Sequence, residues 1–382
     1  MVKPAIPYSR QWVDDDDVEA VAQVLRSDYL TTGPAVPAFE EDLERATRAR
    51  HAVAISSGTA ALHAAYAAVG VGPGNEVITS PLTFAATANA ALYLGARPVF
   101  VDIEADTGNI DAAAVEAAIT PRTRAVVAVD FAGLPADYDA LRAIATRHGI
   151  SLVADAAHSL GATYNERPVG GLADATILSF HPVKAITTGE GGAVLTNDDA
   201  VADFVRTFRT HGIVRSPARL RRSDGPWHHE MQTLGFNYRL TDFQAALGSS
   251  QLRKLAQFIS RRREIAGFYD RALSGVSGIR LPVRRSGAES AWHLYVLRVS
   301  DPSRRRPFFN ALREHGLGVQ VHYIPVYHHP FYEDLGYVRG LCPRAEDYSA
   351  SAVSIPLYPA LTEQQVTRVV EVVALAAQKV LT

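Results

Sequence analysis

Residues 151–196 read SLVADAAHSLGATYNERPVGGLADATILSFHPVKAITTGEGGAVLT, and this stretch decides the fold. Short runs rich in Val, Ile, Leu and Ala begin at Ser151, Ala175 and Gly192, each bounded by turn-forming residues. The same texture extends back towards residue 50. HAVAISS from His51, EVITSP from Glu76, RPVFVDI from Arg97 and RAVVAVDF from Arg124 are further candidate strands, separated by alanine-rich helical stretches at 60–69 and 138–148, the latter stopping at Gly149. Strands alternating with helices predict an α/β fold with a mostly parallel seven-stranded sheet, wrapped by helices through right-handed crossovers.

On either side the pattern changes. After Trp12 come four aspartates and VEAVAQVL, an acidic first turn suited to the positive end of a helix dipole. Beyond residue 250 the sequence predicts a charged helix over 261–272, a strand HLYVLRV from His293, a helix over 308–315, a strand GVQVHY ending at Tyr323, and a last helix from Thr362. These divisions predict a large domain over 1–250, with an amino-terminal helical segment 1–35, and a smaller α/β domain over 251–382. Residues 214–230, with Arg215, Arg219, Arg221 and Arg222 among Pro and Gly, read as an irregular, solvated surface segment, with contact to a diphosphate as the other reading of the arginines.

Composition narrows the possible functions. The chain has 382 residues, 47% of them apolar, and a formal net charge of -2. It lacks the basic field that nucleic acid binding needs. The single cysteine, Cys342, allows neither an intramolecular disulfide nor a cysteine-based metal cage, and no metal is expected. The opening MVKPAIPYSRQW has neither a basic start nor an apolar core. No window of about 18 apolar residues lacks charge or glycine, so a cytoplasmic protein without membrane contact is expected.

In an open α/β sheet, ligands bind at the carboxyl ends of the strands. The first strand ends in Ser56-Ser57-Gly58-Thr59 and leads into a helix, so backbone N–H groups and small side chains converge on one point. That is a phosphate cradle; a simple N-cap is the other reading. The fifth strand delivers Asp155, a carboxylate at the rim, either a cap for the next turn or a partner for a protonated pyridine nitrogen. The strand from Ala175 delivers Ser179 and then Lys184, the only lysine between Lys3 and Lys254. In an apolar setting its amine becomes a nucleophile. Cradle, carboxylate and lysine together are what pyridoxal phosphate (PLP) requires.

The segments SSGTAAL, TFAATANA, VADAAHSLGA, SFHPVKAITTGEGGAV and GFNYRLTDFQAALG resemble, in this order and spacing, the DegT/DnrJ/EryC1/StrS sugar aminotransferases, which are fold-type I PLP enzymes. The likeness runs over essentially the whole chain. It implies that Lys184 holds PLP covalently and that Asp155 pairs with the ring nitrogen. It further implies that Gly58, Thr59 and Ser179 bind the phosphate, that Phe84 stacks on the ring, and that His158, where the family often has glutamine, meets the phenolic oxygen. Asn237 is implied to reach the neighbouring subunit's cofactor in a homodimer. Tyr29, Thr31, His211, Tyr238, His322 and Tyr323 lie in segments similar to the family's substrate wall. IPYSRQ, TTGP at Thr31, PWHHEMQTLGFNYRL and VHYIPVYHHPFY are similar to the subgroup that makes UDP-4-amino-4,6-dideoxy-N-acetyl-altrosamine for pseudaminic acid.

The implied reaction moves an amino group from L-glutamate to the C4 keto group of a UDP-4-keto-6-deoxy-N-acetylhexosamine, with dTDP- or GDP-linked keto sugars as alternatives. The sugar dehydratases of the same family carry histidine at the lysine position, and Lys184 argues against them. A nicotinamide enzyme would place its glycine fingerprint after the first strand, but Gly70-Val71-Gly72-Pro73-Gly74 follows a helix and contains proline. A PLP-binding regulator would need a DNA-binding appendage that the sequence lacks.

Overall fold

The computed structural model describes residues 5–222 and 224–381. All seven expected strands form one sheet: β1 (His51–Ile55), β2 (Glu76–Thr79), β3 (Arg97–Phe100), β4 (Thr123–Val129), β5 (Ser151–Asp155), β6 (Ala175–Ser179) and β7 (Gly192–Thr196). Their order across the sheet is β1-β7-β6-β5-β4-β2-β3. Only β7 runs against its neighbours, pairing antiparallel with both β1 and β6. The central strands are buried on both faces, so the apolar runs reflect helices on either side.

Local chemistry sets the helix ends. The helix Tyr138–His148 starts where the Asp137 carboxylate accepts from Ala140 N. The helix Asp15–Leu25 begins with a capping box between Asp14 and Asp17. Asp17 does more than meet the dipole: it is fully buried and takes an ion pair from Lys254 at 2.7 Å and a hydrogen bond from Gln251. The helix Ala35–Thr47 has no cap of its own. Asp242, on the helix Asp242–Arg253, accepts from Gly33 N and Ala35 N at 2.9 Å each and does that work from a distance.

Towards the carboxyl end a second sheet, antiparallel, joins Ile279–Arg280, Tyr295–Val299 and Ala352–Ile355. The expected charged helix is longer than its sequence signal and runs Leu255–Leu273. The expected strand GVQVHY does not form. Only Gln320 bridges to Ser354, and the chain then turns so that His322 and Tyr323 line one cavity. Alternation along a strand would send them to opposite faces. The amino terminus packs here too, with Ile6 in an apolar cluster with Leu317 and Leu357. In the 214–230 segment, Val214 pairs with Glu230 in a short two-stranded element and Pro217–Arg219 form a 3-10 turn, and the other described residues are irregular as expected.

Phe39 joins the helix Ala35–Thr47 to the end of β6. It is wholly buried, and its ring lies edge-on to Phe180 at 5.3 Å. Phe39→Ala should therefore cost about 3–5 kcal/mol of stability, read as a lower urea midpoint.

Candidate active site

A cavity of about 520 Å3 lies at the carboxyl ends of β4, β5 and β6, reached by Val129, Asp155 and Ser179 respectively. It is of the size that holds small ligands. Nine of the residues expected from sequence line it: Gly58, Thr59, Phe84, Asp155, His158, Ser179, Lys184, His322 and Tyr323. A larger and more open depression of about 720 Å3 sits at the amino-terminal side of the sheet, by Arg124, Arg142 and Ser151. Arg142 there is already paired with Asp174 and Arg124 with Val69 O, and no reactive groups converge.

The cradle forms as expected, with a division of labour. Ser57 is the N-cap of the helix Gly58–Ala68, its hydroxyl accepting from Ala60 N, so both readings of the motif hold at once. Gly58 packs against the end of β6. A Cβ there would stand 3.0 Å from Ser179 Cβ and 3.2 Å from its Oγ, so a larger residue would push into the cradle.

Asp155 is buried, and burial raises its pKa; a Thr87 hydroxyl bond to Oδ2 at 2.7 Å, Ala157 N–H on Oδ1 at 3.2 Å and the charge of Lys184 oppose that rise. Each carboxylate oxygen can accept a second bond, which leaves capacity for a ring N–H. Lys184 keeps part of its surface towards the cavity, yet the protein around its amine pushes the pKa down to about 8, against the pull of Asp155. The amine is then neutral often enough near pH 8 to act as nucleophile and base.

His158 is buried and held neutral by desolvation first and by Lys184 second. Its Nε2 pairs with the Tyr323 hydroxyl at 3.1 Å, its ring lies 4.2 Å from that of His293, and its Nδ1 is buried with no partner among the described residues. An orphaned buried imidazole nitrogen beside Asp155 and Lys184 fits a ligand oxygen. Phe84 stands at the mouth, 64% exposed, where a ring can lie against it. Cradle, carboxylate, lysine and orphaned nitrogen thus fit the phosphate, pyridine nitrogen, aldehyde and phenolic oxygen of PLP.

Five expected residues lie outside this cavity. Tyr29, Thr31, His211 and Asn237 are exposed. Tyr238 is turned inward, stacked on Phe236 at 5.0 Å with its hydroxyl on His63 Nδ1 at 3.1 Å, and its carbonyl accepts from Ser56 N. Sequence reasoning missed Tyr8, Thr87, Glu190 and His293, all of which line the cavity. Thr87 lies four residues from Thr83, with the two hydroxyls 2.8 Å apart, a spacing visible in TFAATANA. His293 had no local signal.

The sheet, with a lysine and a carboxylate meeting at its carboxyl edge, defines the class: a fold-type I PLP-dependent transferase. Comparison with known proteins agrees. The DegT/DnrJ/EryC1/StrS aminotransferase family matches residues 11–374. The spore coat polysaccharide biosynthesis protein SpsC of Bacillus subtilis is 42% identical over 373 residues, 96% of each chain. Among solved structures, Helicobacter pylori PseC, an aminotransferase involved in pseudaminic acid biosynthesis, superposes with a TM-score of 0.92 at 34% identity, covering 98% of this chain and 99% of that one. The Streptococcus pneumoniae protein Spr1654, solved in PMP and PLP forms, matches its PMP form at 0.93 and 31% identity over 98% and 99%. The chain belongs to the DegT/DnrJ/EryC1/StrS aminotransferase family and is a sugar aminotransferase that uses PLP. Among the described residues no helix is long and apolar enough to cross a membrane.

The electrostatics make a direct forecast. In cofactor-free protein, amine-selective labelling of Lys184, followed by mass spectrometry, should rise with pH around a midpoint of about 8. Asp155→Asn removes the charge that favours the ammonium, so the midpoint should fall. An unchanged or higher midpoint would show that the two groups do not interact as described.

Proposed function

We propose that the enzyme moves an amino group from L-glutamate to the C4 keto group of a UDP-4-keto-6-deoxy-N-acetylhexosamine, working as a cytoplasmic homodimer. The observation that carries the chemistry is the Lys184 amine, with its pKa depressed to about 8, sharing one cavity with the buried carboxylate of Asp155. PseC is an aminotransferase involved in pseudaminic acid biosynthesis, and the UDP-linked acceptor follows from the resemblance of the sequence to the subgroup of that pathway.

Bound PLP supplies an aldehyde that takes up an amino group and a pyridine ring that accepts electrons. The protein's part is binding, charge and proton movement. Gly58, Thr59 and Ser179 hold the phosphate at the helix start, where backbone N–H groups favour anions. Asp155 keeps the ring nitrogen protonated, and Thr87 fixes the carboxylate for that task. His158, with Tyr323 on one nitrogen, offers the other to the phenolic oxygen, and Phe84 covers a ring face. Lys184 would hold the cofactor's aldehyde group in the absence of donor. Its freed amine then takes the proton from the donor Cα; in the second half it moves a proton at C4 of the sugar. Donor product leaves before acceptor binds, so the kinetics are ping-pong.

The cavity also supports a shared site. Among the described residues its one ammonium is Lys184, and no arginine lines it, yet a donor with two carboxylates and a nucleotide diphosphate need cationic or N–H partners. Asn237, His211, Tyr29 and Thr31 are exposed, and we assign them to the face that meets a second copy, with Asn237 reaching its cofactor. Tyr238 supports that segment from within, and His322 and Tyr323 complete the sugar wall.

The visible absorbance of the PLP-loaded enzyme should be bleached by L-glutamate and restored by the UDP-4-keto sugar, and not by dTDP- or GDP-linked analogues. Lys184→Ala should lower turnover about a thousandfold or more. Restoration by a dTDP sugar alone would overturn the acceptor, and no bleaching by glutamate would overturn the donor.

A further inference from the structure

The opening motif IPYSRQ is assigned no contact with the cofactor, yet its Tyr8 lines the cavity and the segment is fastened to both sides of it. Ile6 N donates to Gly316 O at 3.1 Å, Gly318 N to Ile6 O at 2.7 Å, and Leu357 N to Tyr8 O at 3.2 Å. On the other side, the Ser9 hydroxyl reaches Val183 O at 3.5 Å, one residue before Lys184, and Gln251 Nε2 donates to Trp12 O at 2.8 Å. The approach is close: a Cβ on Gly318 would stand 2.7 Å from Tyr8 N. The segment is therefore a built part of the wall.

Tyr8 is half-buried in that wall, its ring 5.8 Å from the ring of His322. Its hydroxyl has no partner among the described residues, and burial pushes its pKa up, so it stays a neutral phenol able to donate and accept. Two of the polar atoms beside it are already committed. Tyr323 Oη pairs with His158 and His322 Nδ1 with Ser354 Oγ at 2.8 Å. Burial, with Lys184, holds His322 at about 4, so it carries no charge near neutrality. This side of the cavity presents aromatic faces and the uncommitted Tyr8 hydroxyl, with Lys184 as the cation that lines the same cavity. A pyranose fits such a wall, because its C–H face packs on the rings and a hydroxyl or acetamido group pairs with the phenol.

We propose that Tyr8 is a substrate-recognition residue for the acceptor sugar, hydrogen-bonding a hydroxyl or acetamido group through its phenol, with the amino-terminal segment holding it in place. The proposal rests on the aminotransferase reading above.

A two-stage enzyme lets the donor and acceptor halves be timed apart. Stopped-flow absorbance of the PLP-loaded enzyme would follow bleaching by L-glutamate and restoration by UDP-4-keto-6-deoxy-N-acetylhexosamine, in wild type and Tyr8→Phe. The second-order rate for the sugar should fall about three- to tenfold, while the glutamate rate and the resting visible spectrum hold. Gly318→Val, which displaces the segment without touching the phenol, should give the same selective loss. Equal slowing of both halves or a shifted resting spectrum would show that Tyr8 acts through the Lys184 loop, and no change in either half would show that it meets no substrate; each overturns the proposal. Wild type that neither bleaches nor recovers would fail the aminotransferase reading itself, and the Tyr8 assignment with it.

Discussion

A carboxylate that must keep its charge inside the protein is the constraint on which the rest depends. Asp155 sits at the end of the central strand β5, where burial works against ionisation. It is held by three things: a threonine hydroxyl from the helix Ala86–Tyr93, the N–H of Ala157, and the nearby Lys184. Each comes from a different element. The neighbouring strand β4 supplies a second carboxylate, Asp130, whose backbone N–H donates to Asp155 O. Burial drives Asp130 up to about 7 despite bonds from Ser159, Ala136 N and Tyr138. The charge of Asp155 adds to that rise.

The same balance shapes the lysine. Desolvation frees the Lys184 amine while Asp155 keeps it from falling further, so nucleophile and anion set each other's state. Neutral rings surround them: burial keeps His158, His293 and His322 uncharged. A charged imidazole there would compete with Lys184 for the carboxylate, and a polar but uncharged shell leaves the pair to act on a ligand.

Much of this was legible in the chain. The seven strands are apolar because helices cover both faces, and that burial leaves a local signature. Ser57-Gly58-Thr59, Asp155 and Lys184 were legible because strand ends in such a sheet point to one rim. What stayed hidden depends on chain segments meeting from far apart. Tyr8 enters the cavity through bonds of Ile6 to Gly316 and Gly318 and its own to Leu357, and His293 enters with its ring tilted against that of His158. GVQVHY carries a strand's composition, but its two aromatic residues are drawn to the cavity, a tertiary demand that local propensity does not encode. Tyr238 read as a ligand contact because an aromatic hydroxyl in a turn has no visible partner in sequence; the partner is His63, on the helix Gly58–Ala68.

The most direct test of the account is where the cofactor attaches. The chain has four lysines, Lys3, Lys184, Lys254 and Lys379, so PLP-loaded protein reduced with borohydride and mapped by mass spectrometry gives an unambiguous answer. A single phosphopyridoxyl group on Lys184, lost on substitution of Lys184 and weakened with Asp155→Asn, is the result predicted. A label on Lys254 or Lys379, or none on any lysine, would contradict the account at its centre.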